Sequence, residues 1–151
     1  MLNTLRSIIQ EVNSARDLDQ ALSIIVGRVC DAMEVDVCSV YLTDELQKQH
    51  VLMATQGLRS ESVGKVRLAF SQGLVSLVAA RAEPLNLADA QVHPSYHHSD
   101  QVDMEKYHAF LGVPIIHHRK VLGVLVVRQL RAERFDEEHE NFLITMSAQL
   151  A

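Results

Sequence analysis

Eight histidines in 151 residues are the first feature that could carry chemistry. His93, His97 and His98 crowd one stretch, with Asp100, Asp103 and His108 close behind. Imidazole and carboxylate together suit zinc or iron. The spacing matches no established ligand pattern, however, and His-Glu-x-x-His is absent. Adjacent His97 and His98 would point apart on most backbones. Polar loop histidines are therefore the better reading, and no metal is expected. His117-His118-Arg119-Lys120 could hold a phosphate, but a solvated hairpin turn accounts for the same residues. Glu137, Glu138 and Glu140 open a helix, where the dipole favours acids. A glycosidase-like carboxylate pair would need a cleft that nothing here suggests. Gly-x-Ser-x-Gly, the phosphate-cradling Gly-x-x-x-x-Gly-Lys and Gly-x-Gly-x-x-Gly are all missing. Cys38 lies in an apolar strand, where burial raises a thiol pKa and makes it inert. No catalytic residue is expected.

What remains is a ligand pocket. Phe70, Leu74 and Phe110 can line an apolar wall. Asn86, Asp89, His93 and Tyr96 come from or flank an irregular stretch and can supply oriented polar groups. A mostly apolar cavity with a few polar contacts is the usual small-ligand site. Core packing competes as the explanation of Phe70 and Phe110. For Asp89, His93 and Tyr96, a loop position favours function about as much as structure.

The elements that must position these residues follow from periodicity. Leu2, Leu5, Ile8, Ile9 and Val12 form one helical stripe, interrupted at Asn13-Ser14. Asp17 reads as an N-cap, with Gln20 three residues on as in a capping box. Leu18, Leu22, Ile25 and Val29 give the second helix its apolar face. The period then changes. Residues 35–42 and 51–55 read as an antiparallel pair, and 65–68 as a third strand. Leu74, Leu77 and Val78 have helical spacing up to Arg81, and Glu83-Pro84 stops that helix. Leu85-Asn86-Leu87 is a short strand at most. Residues 89–103 are the least regular part, as binding loops often are. Two apolar runs, 110–116 and 121–127, surround a four-residue turn and make a second hairpin. Asp136 caps a last helix striped by Phe142, Leu143, Met146 and Leu150. Hairpins join the strands in place of regular crossovers, so the expected class is α+β, an antiparallel sheet with helices packed on it.

Composition narrows the function classes. Apolar residues make up 48% and charged residues 22%, the balance of an ordinary globular domain. Neither apolar run approaches the roughly 18 residues of a membrane span, and the start does not resemble a secretory signal. The net charge of −5 argues against a nucleic-acid partner, which usually meets a basic face. Two cysteines, Cys30 and Cys38, are too few for a disulfide framework and read as buried thiols in a reducing cytoplasm. The last helix runs to Ala151 without a C-cap, so a single domain over residues 1–151, the N-terminal piece of a longer protein, is expected.

The order of elements resembles the GAF domain family of small-molecule-binding regulatory modules. Cys38-Ser39-Val40-Tyr41-Leu42, Phe110-Leu111-Gly112-Val113-Pro114-Ile115 and Leu122-Gly123-Val124-Leu125-Val126-Val127 carry the likeness, with Phe135-Asp136-Glu137 before the last helix. Within that family, the run from Glu83 to Ser95 and Ala109 to Ile116 is similar to the N-terminal GAF domains of the nitrogen-branch Enzyme I phosphoenolpyruvate–protein phosphotransferases. That resemblance implies a GAF fold of about six strands, with the N- and C-terminal helices packed together. It also implies a sensor of glutamine or 2-oxoglutarate that modulates autophosphorylation of a downstream Enzyme I portion. That portion would use Mg2+ and pass its phosphoryl group to a histidine phosphocarrier protein; this segment itself would need no cofactor. A homodimer is expected, and no membrane. Two alternatives stay open: a dimerisation module with a vestigial pocket, and the sensor of a nitrogen-regulatory transcription activator. Gln129-Leu130 stands where cyclic-nucleotide-binding relatives often carry Asn-Lys, which disfavours cyclic nucleotides. Sulfoxide-reducing relatives use a set of redox cysteines that Cys30 and Cys38 do not supply.

Overall fold

The computed structural model describes residues 2–96 and 106–151. Two helices come first, α1 (Leu2–Asn13) and α2 (Leu18–Met33). Asp17 caps α2 by accepting from the Gln20 N–H at 2.8 Å, and the Gln20 side chain accepts from the Arg16 N–H at 2.6 Å. This is the capping box with its return bond shifted by one residue. Glu34 ends α2 in the left-handed region (φ 55°), and the Val35 N–H reaches the Cys30 carbonyl. Val35, expected in the first strand, is thus spent on the helix cap, and β1 runs Val37–Asp44.

The strands β2 (Gln49–Gln56), β3 (Arg67–Ala69), β4 (Leu85–Leu87), β5 (Ala109–His117) and β6 (Lys120–Gln129) complete one antiparallel sheet in the order β3-β2-β1-β6-β5-β4. Helix α3 (Gly73–Arg81) separates β3 from β4, and α4 (Glu137–Leu150) closes the described chain. The β5–β6 pairing continues to His117↔Lys120, so the turn is two residues and not four. His118 and Arg119 both take positive φ, 50° and 66°. A two-residue turn with both centres left-handed matches the twist of a hairpin, which lets pairing run to its end. Helix α4 begins as expected: the Asp136 carboxylate accepts from the His139 N–H at 2.8 Å, and Glu137, Glu138 and Glu140 sit in the first turn.

Alternation along the strands divides the core in two. Cys38, Val40, Leu111, Val113, Ile115, Leu125 and Val127 face α1, α2 and α4. Tyr41, Leu52, Phe110, Val124 and Val126 face α3, where Leu74, Val75 and Val78 cover them. Helix α1 contacts both α2 and α4, and Arg28 of α2 pairs with Glu11 of α1. The fold is therefore α+β, with the terminal helices on one face of a six-stranded sheet and α3 on the other. Among the described residues, no helix is long and apolar enough to cross a membrane.

Candidate functional site

The α3 face carries the polar groups that a packed sheet does not need. Ser39, His50, Ser76 and Arg128 are all buried there. Ser39 and Thr55 share a hydroxyl bond at 2.9 Å across β1 and β2. The Ser76 hydroxyl donates to the Ala69 carbonyl at 2.8 Å, tying α3 to β3. Between α3 and the turn at residues 94–96 lies a cavity of about 500 Å³. Phe70 and Tyr96 are its aromatic walls, and Ser71, Gln72, Ser76 and Ser95 add polar edges. Gly73 and Leu77 of α3 also line it. A smaller cavity of about 160 Å³ shares Phe70, Ser76 and Ala80 with it and is also lined by Thr43, Glu45, His50 and Val121.

His50 links this site to pH. Its ring stacks on Phe70 with centroids 4.8 Å apart, and Nδ1 lies 3.1 Å from the Thr43 hydroxyl. Burial lowers its pKa, and Glu45 opposes that shift only in part. A depressed folded pKa means that the unfolded chain binds more protons once pH falls below about 6.5, the ordinary histidine value. Stability then rises with pH: the His50 contribution is whole above that value and is lost as pH falls toward the folded pKa. Urea midpoints measured from pH 8 to pH 5 should fall less for His50→Gln than for the parent chain. Parallel curves would show that His50 is not buried neutral.

The sequence-derived candidates separate into three groups. Phe70, 37% exposed, and Tyr96 meet on the larger cavity. Leu74 and Phe110 are buried together in the cluster beneath α3. Asp89 and His93 shape a one-turn 3-10 helix at Ala90–Val92: Asp89 accepts from the Gln91 N–H at 3.1 Å, and His93 accepts from the Ser95 N–H at 3.0 Å. Asp89 also meets His108 Nδ1 at 3.2 Å. Asn86 stands apart from the cavity. Its amide donates to the Phe135 carbonyl at 2.8 Å and accepts from the Phe135 N–H at 3.1 Å. His97, His98, Asp100 and Asp103 lie outside the described residues. Among the described residues, no three metal-ligating side chains converge.

His50, Ser76, Tyr41 and Arg128 were not among the sequence candidates. The signal for two of them was strand parity: His50 shares a face with Leu52, and Arg128 with Val126. Both cysteines are buried and free. Burial pushes the Cys38 thiol well up, and burial with Asp31 and Asp36 nearby raises Cys30. Neither is an activated nucleophile.

The comparisons with known proteins agree with this architecture. Residues 17–151 match the model of the GAF domain family. The chain is 50% identical over 151 residues to a protein of Escherichia coli (strain K12) described as a phosphoenolpyruvate-dependent phosphotransferase system, and spans 20% of its length. The GAF domain from a phosphoenolpyruvate-protein phosphotransferase of Coxiella burnetii superposes with a TM-score of 0.95 at 50% identity, covering 99% of this chain and 89% of that one. The corresponding Acinetobacter domain gives a TM-score of 0.90 at 48% identity, with the same two coverages.

Proposed function

The chain belongs to the GAF domain family, and on that premise we propose that it is the ligand-sensing domain of a phosphoenolpyruvate–protein phosphotransferase. Its relatives are parts of such enzymes. The observation that carries the sensing role is the cavity of about 500 Å³ between α3 and the 94–96 turn. That volume lies within the roughly 300–1,000 Å³ of ordinary small-ligand sites. In this reading the ligand is a nitrogen-status metabolite, glutamine or 2-oxoglutarate, held between Phe70 and Tyr96. Leu74 and Phe110 back the site, while Asp89 and His93 fix the turn that carries Tyr96. The domain is not itself catalytic. Ligand binding biases the turn and the terminal helices, and so the autophosphorylation of an Enzyme I portion that uses Mg2+ and a histidine phosphocarrier protein in the cytoplasm. Such coupling requires only that the ligand prefer one of two states. A homodimer through the terminal helices would let two sensors act together.

The test is a melting curve with each metabolite. A ligand at one hundred times its dissociation constant adds about 2.7 kcal/mol, or roughly 5–10 °C for a domain of this size. Glutamine or 2-oxoglutarate should produce such a shift, and Tyr96→Ala should weaken it. No shift with either at millimolar concentration would remove the proposed ligands. Self-association without binding would then favour the dimerisation reading.

A further inference from the structure

The two cavities on the α3 face share a wall made of Phe70, Ser76 and Ala80. Ser76 and Ala80 stand one helical turn apart on α3, so one ring and one stretch of helix divide the two spaces. The smaller cavity, about 160 Å³, adds His50, Thr43 and Glu45 as polar lining and Ala79 and Val121 as apolar lining. At about 30 Å³ per water-sized group it has room for roughly five, the size of a carboxamide carried on two methylenes.

His50 is the polar group in this cavity that the protein leaves half satisfied. It is 3% exposed. Its Nδ1 lies 3.1 Å from the Thr43 hydroxyl, and its ring is held against Phe70 by stacking. Among the described residues, nothing hydrogen-bonds its Nε2. A ring nitrogen withdrawn from water is costly without a partner. Burial lowers the His50 pKa and favours the neutral ring, which has one donor and one acceptor nitrogen. If Thr43 donates to Nδ1, then Nε2 is a donor; if Nδ1 donates to Thr43, Nε2 is an acceptor. A carboxamide answers either arrangement, through its oxygen or its N–H groups. A carboxylate answers only the first.

Charge sharpens the choice. Among the described residues, no lysine or arginine lines either cavity. Glu45 lines the small one and is near enough to His50 to oppose its pKa shift. Lys120 meets Glu45 at 3.9 Å, but both side chains are more than half exposed, and such a pair is worth little. A ligand carboxylate would therefore face Glu45 with no cation in the lining to offset the repulsion. An amide N–H can instead donate to it.

We propose that His50, Thr43 and Glu45 form a carboxamide subsite in the small cavity, so that the sensor takes a small primary amide in preference to the matching acid. This rests on the sensing role proposed above and deepens it. The body of the ligand lies in the larger cavity between Phe70 and Tyr96, and its amide reaches past Phe70 to His50.

Isothermal titration of the 151-residue chain with two matched pairs tests the subsite: glutamine with glutamate, and 2-oxoglutaramate with 2-oxoglutarate. In each pair the amide should bind at least about tenfold more tightly, the size expected for one well-placed hydrogen bond. His50→Leu, similar in size, should remove that preference in both pairs, whereas loss of a merely structural histidine would weaken amide and acid alike. Glu45→Gln changes a half-exposed side chain and should tighten the acids severalfold, which provides the test if His50→Leu does not fold. An acid that binds as tightly as its amide overturns the subsite while sensing stands. So does a folded His50→Leu chain that keeps the preference, or a Glu45→Gln chain with parent-like acid binding. No binding by any probe defeats the subsite and the sensing role together.

Discussion

Gly123→Ala should destabilise the domain by about 3 kcal/mol or more, at the upper end of the cost of overpacking. Gly123 sits in β6, one of the two central strands, between Leu42 of β1 and Ile115 of β5. A Cβ built there would lie 2.2 Å from the Tyr41 carbonyl oxygen and 3.2 Å from the Leu42 Cα. Those are backbone atoms of a paired strand, so a rotamer change cannot relieve the clash. The close approach coincides with the break in register after Ile115, where β6 bulges by one residue, Leu122, against β5. Gly27 in α2 is the internal control, since a Cβ there meets nothing within 4 Å. Gly27→Ala should stabilise by about 0.5–1 kcal/mol through the ordinary helix preference for alanine. Differential scanning calorimetry of the two variants should give shifts of opposite sign, with Gly123→Ala lower by roughly 6–12 °C. A Gly123→Ala chain that melts with the parent would mean that β1 and β6 can part without cost.

The contrast between those two glycines shows what can be read from one sequence and what cannot. Both are single glycines in apolar segments. Nothing local says that one faces open space and the other a carbonyl oxygen. The same limit runs through the fold. The hairpin of β5 and β6 was legible because two apolar runs flank four polar residues. Its two-residue turn was not, because His118 and Arg119 are poor advertisements for positive φ. The N-caps at Asp17 and Asp136 were legible because capping is local chemistry. The start of β1 was misplaced by two residues, because Val35 completes the cap of α2 and a β-branched residue does not announce that role.

For the candidate site, the limit is sharper. Phe70 and Tyr96 lie 26 positions apart in sequence and reach one cavity because α3 and the turn after β4 close over the same sheet face. Arg128 ends an apolar run and looks like the point where a strand meets water. Only its parity with Val124 and Val126 places it inside. Composition therefore pointed to the irregular segment as the ligand region, while the buried polar groups of the regular strands escaped notice. A polar side chain on the inner face of a sheet is the more informative signal, because burial must be answered by a partner or a ligand.

Asn86→Ala should destabilise by about 2–4 kcal/mol while leaving metabolite affinity intact. Asn86 lies in β4, one of the two edge strands, which among the described residues pairs only with β5. Its amide satisfies both backbone groups of Phe135, 49 residues away, just before α4 begins. The Glu140 carboxylate also accepts from it at 3.4 Å. Phe135 is 5% exposed, so its backbone groups have little water to fall back on. Removing the amide strands one donor and one acceptor, each worth about 1–3 kcal/mol when left unpaired. Asn86→Asp separates the two bonds. It keeps an acceptor for the Phe135 N–H, loses the donor to the Phe135 carbonyl, and sets a second carboxylate beside Glu140. At neutral pH it should be no better than alanine. Below roughly pH 4, where carboxylates take up protons, it should recover part of the loss. Chemical denaturation of the three chains at pH 7 and pH 3.5 gives the stabilities, and titration with glutamine and 2-oxoglutarate gives the affinities. Lost binding in a folded Asn86→Ala chain would return Asn86 to the ligand site. Unchanged stability would mean that β4 and the start of α4 are held together by packing alone. The clamp is also a structural link: β4 runs directly into the turn of Asp89 and His93, and Asn86 fastens that strand to the base of the last helix.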